Sequence, residues 1–266
     1  LKIFIDPGHG GTDPGASANG LQEKNITLQI ALKLRDILQK EYEGHTIQMS
    51  RTTDQTISLI ERTNLANNWL ADYLISIHIN AGGGTGFESY TYNGNYKGKE
   101  QTNRLRRTLH NQIVKQTDFY NRGKKEANFH MVRESAMPAV LTENGFIDRN
   151  EDAQLLKQDS FLEKIARGHA LGLAEAFNLP KKSASNNTAT YYRVVAGSFK
   201  ERKFVDERVN RLKEKGFQSF IDIFKKGGST YYRVVVGSFK ERENADKQVA
   251  LLKKEGFDAF IDVVKH

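Results

Sequence analysis

Bulky apolar residues come in short runs at some points of the chain and at helical intervals at others. Ile3, Phe4 and Ile5 form a run that Pro7 stops, which predicts a buried strand. Ile26, Ile30, Leu34 and Leu38 recur every four residues, with Ala31 and Ile37 widening the stripe, so a helix follows and Gly44 ends it. Residues 46–50 alternate as a strand does. Residues 57–71 have helical spacing, with Leu59, Leu65 and Trp69 expected in the core. Residues 73–80 give the clearest strand: Tyr73, Ile75, Ile77 and Ile79 share one face, and Leu74, Ser76, His78 and Asn80 the other.

The pattern continues with a glycine-rich loop over 82–86 and a strand over 87–92. A polar helix over 97–117 turns Leu105, Leu109 and Ile113 inward and leaves His110 at the surface. A charged loop is expected over 121–128, strands over 129–133 and 139–146, and a last helix over 160–177 with a structural His169. Strands separated by helices imply an α/β fold: a central, mostly parallel or mixed sheet flanked by helices on both faces.

Residues 180–190 are small and polar and read as a linker. Beyond it the chain repeats itself at an offset of 40 residues: Tyr191-Tyr192-Arg193-Val194-Val195 returns as Tyr231-Tyr232-Arg233-Val234-Val235, and Gly197-Ser198-Phe199 as Gly237-Ser238-Phe239. Each unit (191–226 and 231–266) reads strand, helix, strand, with Gly216 and Gly256 just past the helices. One unit buries too little surface to stand alone, so the two predict a single small α+β domain of βαββαβ order with both helices on one face. The expected organisation is therefore 1–179, linker 180–190 and 191–266.

Mean hydropathy is −0.60, and no apolar run is long enough to span a bilayer. The chain opens on its first strand, so no leader peptide is visible, and the export route stays open. Cysteine is absent, which excludes disulfides, thiolate metal sites and cysteine nucleophiles. The whole of the net +8 charge falls after residue 179, so a neutral body carries a basic appendage suited to an anionic partner or to a solvated helix face.

Candidate chemistry gathers at strand ends. His9 follows the first strand among Gly8, Gly10 and Gly11, which remove side chains around the imidazole. Glu23 lies in the first turn of a helix, and His78 closes a strand. Two histidines and a glutamate form a ligand set for a catalytic zinc with one position left to water. Glu143, ahead of a glycine turn, is the best placed proton carrier for that water; the competing reading pairs it with Arg149. Asn80 and Arg133 are candidate substrate contacts by position. No Gly-x-Ser-x-Gly elbow, dinucleotide fingerprint or phosphate loop occurs.

Asp6-Pro7-Gly8-His9-Gly10-Gly11, Glu23, Ser76-Ile77-His78-Ile79-Asn80 and Glu143-Asn144-Gly145-Phe146 resemble the motifs of zinc-dependent N-acetylmuramoyl-L-alanine amidases. The resemblance spans 1–179 and implies one zinc ion on His9, Glu23 and His78, catalysis by Glu143, and cleavage of the amide between the lactyl group of muramic acid and L-alanine in peptidoglycan. The repeats are similar to the SPOR domain, which recognises glycan strands stripped of stem peptides. The combination looks like the mother-cell-lytic amidases of spore-forming bacteria. Peptidoglycan is the partner this implies, for a monomer at the cell wall or in the mother cell before lysis, with no membrane or nucleic acid. Two rivals remain: a zinc peptidase, and an RNA-binding protein using the basic repeat domain, whose Gly-Ser-Phe-Lys-Glu-Arg run does not match the aromatic consensus of RNA-recognition modules.

Overall fold

The structure, a computed structural model, describes residues 1–182, 190–226 and 228–265. It divides into two compact units, Leu1–Lys182 and Ser183–His266.

In the first unit the elements run β1 (Lys2–Pro7), β2 (Ser17–Ala18), β3 (Leu21–Gln22), α1 (Glu23–Glu41), β4 (Thr46–Met49), α2 (Leu59–Asn68), β5 (Tyr73–Asn80) and β6 (Phe87–Tyr92). They continue with α3 (Lys99–Gln116), β7 (Asn121–Ala127), α4 (His130–Arg133), β8 (Ala139–Phe146), α5 (Asn150–Leu156) and α6 (Asp159–Phe177). Six strands form one sheet in the order β4-β1-β5-β8-β6-β7. Neighbours are parallel except β6 and β8, which makes the sheet mixed.

The alternation along β5 sorts its residues as expected. Tyr73, Ile75 and Ile77 bury against Ile30 and Leu34 of α1, Leu109 and Ile113 of α3, and Ile165 and Leu173 of α6. Leu74 points the other way and packs with Phe4, Leu141, Ala66 of α2 and Met131 and Val132 of α4. Helices therefore lie on both faces, and the carboxyl ends of β1 and β5 are left to carry polar groups. His169 is buried in α6, where Nδ1 lies 2.8 Å from the Ile165 carbonyl and Nε2 3.1 Å from Thr142 Oγ1, in keeping with a structural role.

Four local expectations need correction. Residues 121–127 are the edge strand β7, because the backbone finds a parallel partner in β6 and an edge tolerates charged side chains. Residues 130–133 form a helical turn, which buries Met131 and Val132 together. In α2 the inward stripe is Arg62, Thr63 and Ala66, so Leu59 and Leu65 are exposed, while Trp69 packs against Phe4. His110 is fully buried: both ring nitrogens have partners, Ser89 Oγ and Asn121 Oδ1, each at 2.8 Å, which removes most of the penalty for enclosing it. Burial pushes its pKa down to about 4, so the ring is neutral.

Residues 180–182, assigned to the linker, are held against the end of α1: Glu43 N donates to the Pro180 carbonyl at 3.0 Å and Lys182 N to that of Glu41 at 2.8 Å. Of the rest of the expected linker, 183–189 lie outside the described residues, and Thr190 opens the next strand instead. The second unit contains β9 (Thr190–Phe199), α7 (Arg202–Glu214), β10 (Phe220–Lys226), β11 (Ser229–Phe239), α8 (Arg242–Lys254) and β12 (Phe260–Lys265). Its sheet is antiparallel in the order β10-β11-β9-β12. Val205 and Leu212 of α7 and Ala245 and Leu252 of α8 cover the face that carries Val194, Ala196 and Val234. Gly216 and Gly256 sit just past the two helices at φ of +81° and +80°, the left-handed cap geometry that the repeat predicts.

Candidate metal centre

The loop after β1 is fixed from beneath by buried charge. Asp6 accepts from Ser50 Oγ at 2.6 Å and Ser76 Oγ at 2.7 Å, and pairs with Arg62 at 2.8 Å. Arg62 also donates to the carbonyls of Pro7 and His9, and Arg51 to those of Pro7 and Gly8. These two guanidinium groups satisfy carbonyls that an irregular buried loop would otherwise strand. Burial alone would raise the Asp6 carboxyl, but Arg62 and the two serines outweigh it and hold its pKa below the ordinary 3.8. Its contribution to stability is therefore complete above pH 3.8 and is lost as acid takes the pH down through the lower folded value. Arg62→Ala, which leaves Asp6 charged and enclosed, should cost about 3–5 kcal/mol at neutral pH and move the acid-unfolding limb to higher pH. Denaturant titrations across pH check both; an unchanged midpoint would remove the clamp from the account.

On this base His9 takes a left-handed backbone, φ +60°, rare for a residue with a side chain. Gly8 is required by close approach: a Cβ there would lie 2.4 Å from Cε1 of His78. Gly15 serves likewise, since its Cβ would meet Glu23 Oε2 and the His9 ring at 2.6 and 2.7 Å. Gly10 and Gly11 do not clear space for the imidazole as expected; they admit the backbone of Gln55 and Thr56.

Three donors converge there. His9 Nε2 lies 3.2 Å from Glu23 Oε2, and His78 Nδ1 lies 3.1 Å from Glu23 Oε1. One ligand atom from each residue falls within 4.8 Å of the others, so the trio can hold a single ion. Glu23 opens α1, and its oxygens also accept from Ala16 N and Ile79 N, each at 2.9 Å. Burial would raise its carboxyl, but the two histidines keep it well below the usual carboxylate range, and it is ionised. Asp13 accepts from His9 Nδ1 at 2.8 Å, which turns Nε2 toward Glu23. Burial lowers the His9 pKa less than Glu23 and Asp13 raise it, so the ring is held above its ordinary value.

Glu143 stands beside His78 in the ladder between β5 and β8, and beside Glu88 in the ladder between β8 and β6. The strand runs past it to Phe146, so Gly145, at φ +91°, makes a bulge within β8 and not a turn after it. Glu143 Oε2 is enclosed and has no hydrogen-bond partner. Burial, then the charges of Glu23 and Glu88, push its carboxyl up. Arg149 pairs with Glu151 at 2.7 Å and leaves Glu143 alone. His9, His78 and Glu143 line one cavity of about 310 Å³, with Leu59 and Phe129 among its other walls.

The remaining candidates lie elsewhere. Asn80 spends its amide internally, donating to Glu88 Oε1 at 2.7 Å and accepting from Ala81 N at 2.8 Å. Arg133 lines a separate cavity with Tyr92 and Tyr96, and its guanidinium is bound to Asn128 and Glu134. Arg51, Arg62 and Asp13 went unnoticed in the sequence. Asp13, four residues after His9, carried the one usable signal: a carboxylate within reach of the second ring nitrogen.

A mixed sheet with two imidazoles at its strand ends, a carboxylate at a helix start beside them, and a glutamate with an unpaired oxygen lining the same cavity is the frame of a hydrolase class. The chain belongs to the N-acetylmuramoyl-L-alanine amidase family, whose pattern matches residues 3–175, and residues 186–262 match the SPOR domain. Over 221 residues, 83% of this chain and 84% of the relative, it is 55% identical to the sporulation-specific N-acetylmuramoyl-L-alanine amidase of Bacillus subtilis strain 168. The N-acetylmuramoyl-L-alanine amidase CwlM of Bacillus licheniformis is 54% identical over the same shares of the two chains. Among solved structures, the N-acetylmuramoyl-L-alanine amidase of Clostridium difficile 630 is 37% identical, with a TM-score of 0.63, covering 66% of this chain and 96% of that one. Among the described residues, no helix is long and apolar enough to cross a membrane.

Proposed function

We propose that this chain hydrolyses the amide between the lactyl group of muramic acid and L-alanine of the stem peptide in peptidoglycan, and that it lyses wall during sporulation. The reading is carried by one observation: Glu143 Oε2, enclosed and without a partner, shares a cavity with His9 and His78 beside Glu23. Two imidazoles and one carboxylate suit one zinc ion, and the orphaned oxygen suits a water that needs a base. When bound, zinc makes water acidic near neutral pH and polarises the scissile carbonyl.

The chain's own residues do the rest. Asp13 fixes the tautomer of His9, and the amides of Ala16 and Ile79 fix Glu23. Glu143 takes a proton from the attacking water as the carbon–oxygen bond forms, then delivers it to the alanine nitrogen as the carbon–nitrogen bond breaks. Burial beside two other carboxylates keeps that proton on Glu143 between the steps.

Purified wall treated with the zinc-loaded protein is expected to yield new L-alanine amino termini. Release of peptides with the lactyl–alanine bond intact would instead support a peptidase. The basic C-terminal unit is read as the wall anchor, so deleting 187–266 should weaken sedimentation with wall well before it slows hydrolysis of small soluble fragments. Equal losses in the two assays would argue against a separate anchor.

A further inference from the structure

Glu143 belongs to a row that crosses the sheet from the metal centre to the edge: His78 on β5, Glu143 on β8, Glu88 on β6 and Gly123 on β7. At its far end the register slips, Phe87 pairing with Asn121 and Glu88 with Gly123, so Arg122 is an extra residue in a bulge. The bulge lets both Arg122 and Lys125 reach Glu88 Oε2, Arg122 Nε at 2.8 Å. Tyr90 OH and Asn80 Nδ2 donate to Oε1, each at 2.7 Å. Glu88 is thus a buried carboxylate with four donors, two of them cations, one positive charge more than it needs.

The surplus is presented outward. The Arg122 guanidinium sits 4.7 Å from the Phe146 ring centroid, which holds its plane. Only Nε is engaged; among the described residues its two Nη groups have no hydrogen-bond partner. The Arg122 and Lys125 side chains are 30% and 39% exposed, against 3% for Glu88. A guanidinium fixed by stacking and by one tethered nitrogen, with its fork free beside an ammonium, is preorganised for a carboxylate.

We propose that Arg122 and Lys125 form a subsite for a free carboxylate of the stem peptide, with Glu88 as the positioning residue that holds both cations. The inference rests on the amidase reading. Strands lie about 4.8 Å apart, so β7 is roughly 10 Å from β8. An extended peptide covers about 3.5 Å per residue, which brings a carboxylate two or three residues past the scissile amide to this subsite.

The test compares, on the zinc-loaded full chain, a soluble muramoyl-tripeptide having free stem carboxylates with the same compound converted to carboxamides. Amidation should raise KM about tenfold and leave kcat nearly unchanged, the loss of one charge-assisted contact. Arg122→Gln should raise KM about tenfold on the free acid and not on the carboxamide, and Arg122→Lys should recover part of the loss. Equal kcat/KM for the two compounds in the unmodified protein overturns the subsite and leaves the amidase standing. Equal losses on both compounds in Arg122→Gln overturn it too, by reducing Arg122 to a counter-ion of Glu88. If neither compound is cleaved, the amidase reading itself fails and this inference with it.

Discussion

Glu143→Gln should lower kcat about a thousandfold while leaving the zinc content of the protein unchanged. Glutamine keeps the shape, so the ladders to His78 and Glu88 survive. It cannot take a proton from water, the role proposed for this carboxyl, whose Oε2 has no partner of its own. The substitution also removes a carboxyl that Glu23 and Glu88 disfavour in its charged form, so thermal stability should hold or rise. Single-turnover hydrolysis and metal analysis on one preparation check the prediction. Full activity in this variant would end the assignment of Glu143.

His78→Ala should abolish stoichiometric zinc. The imidazole is one of only three donors in the cluster, and Nδ1 is tied to Glu23 at 3.1 Å. A Cβ at Gly8 would lie 2.4 Å from Cε1 of this ring, so the loop is shaped to seat the imidazole. A supporting group behind a ligand is worth roughly 10- to 100-fold in affinity, and a ligand itself should exceed that. Zinc titration against a competing chelator gives the number. Retention of one ion per chain would show that His78 is not a ligand.

What the sequence revealed and what it hid divide along physical lines. The alternation in β5 was legible because one face meets three helices and the other carries Ser76 and His78. The convergence of His9, Glu23 and His78 was legible because they end strands or begin a helix, where side chains gather by construction. The buried arginines were not. Arg62 and Arg51 are charged residues in polar surroundings, and only the carbonyls they serve, distant in sequence, give them a reason to be inside. His110 was hidden for the same reason, its two partners lying on β6 and at the start of β7. The strand β7 has no apolar alternation to announce it, because its register comes from β6 and its side chains answer to Glu88. Of the glycines beside His9, Gly8 makes room for the His78 ring, while Gly10 and Gly11 make room for Gln55 and Thr56, neighbours that the local sequence does not announce.

In the C-terminal unit neither repeat pairs its own two strands with each other: β10 lies against β11, and β12 against β9. Each half completes the other, as two hands clasp. A polypeptide carrying one copy would be left with an open edge that a twin molecule could fill by the same pairing. A cut between the copies should therefore yield two pieces that still hold each other.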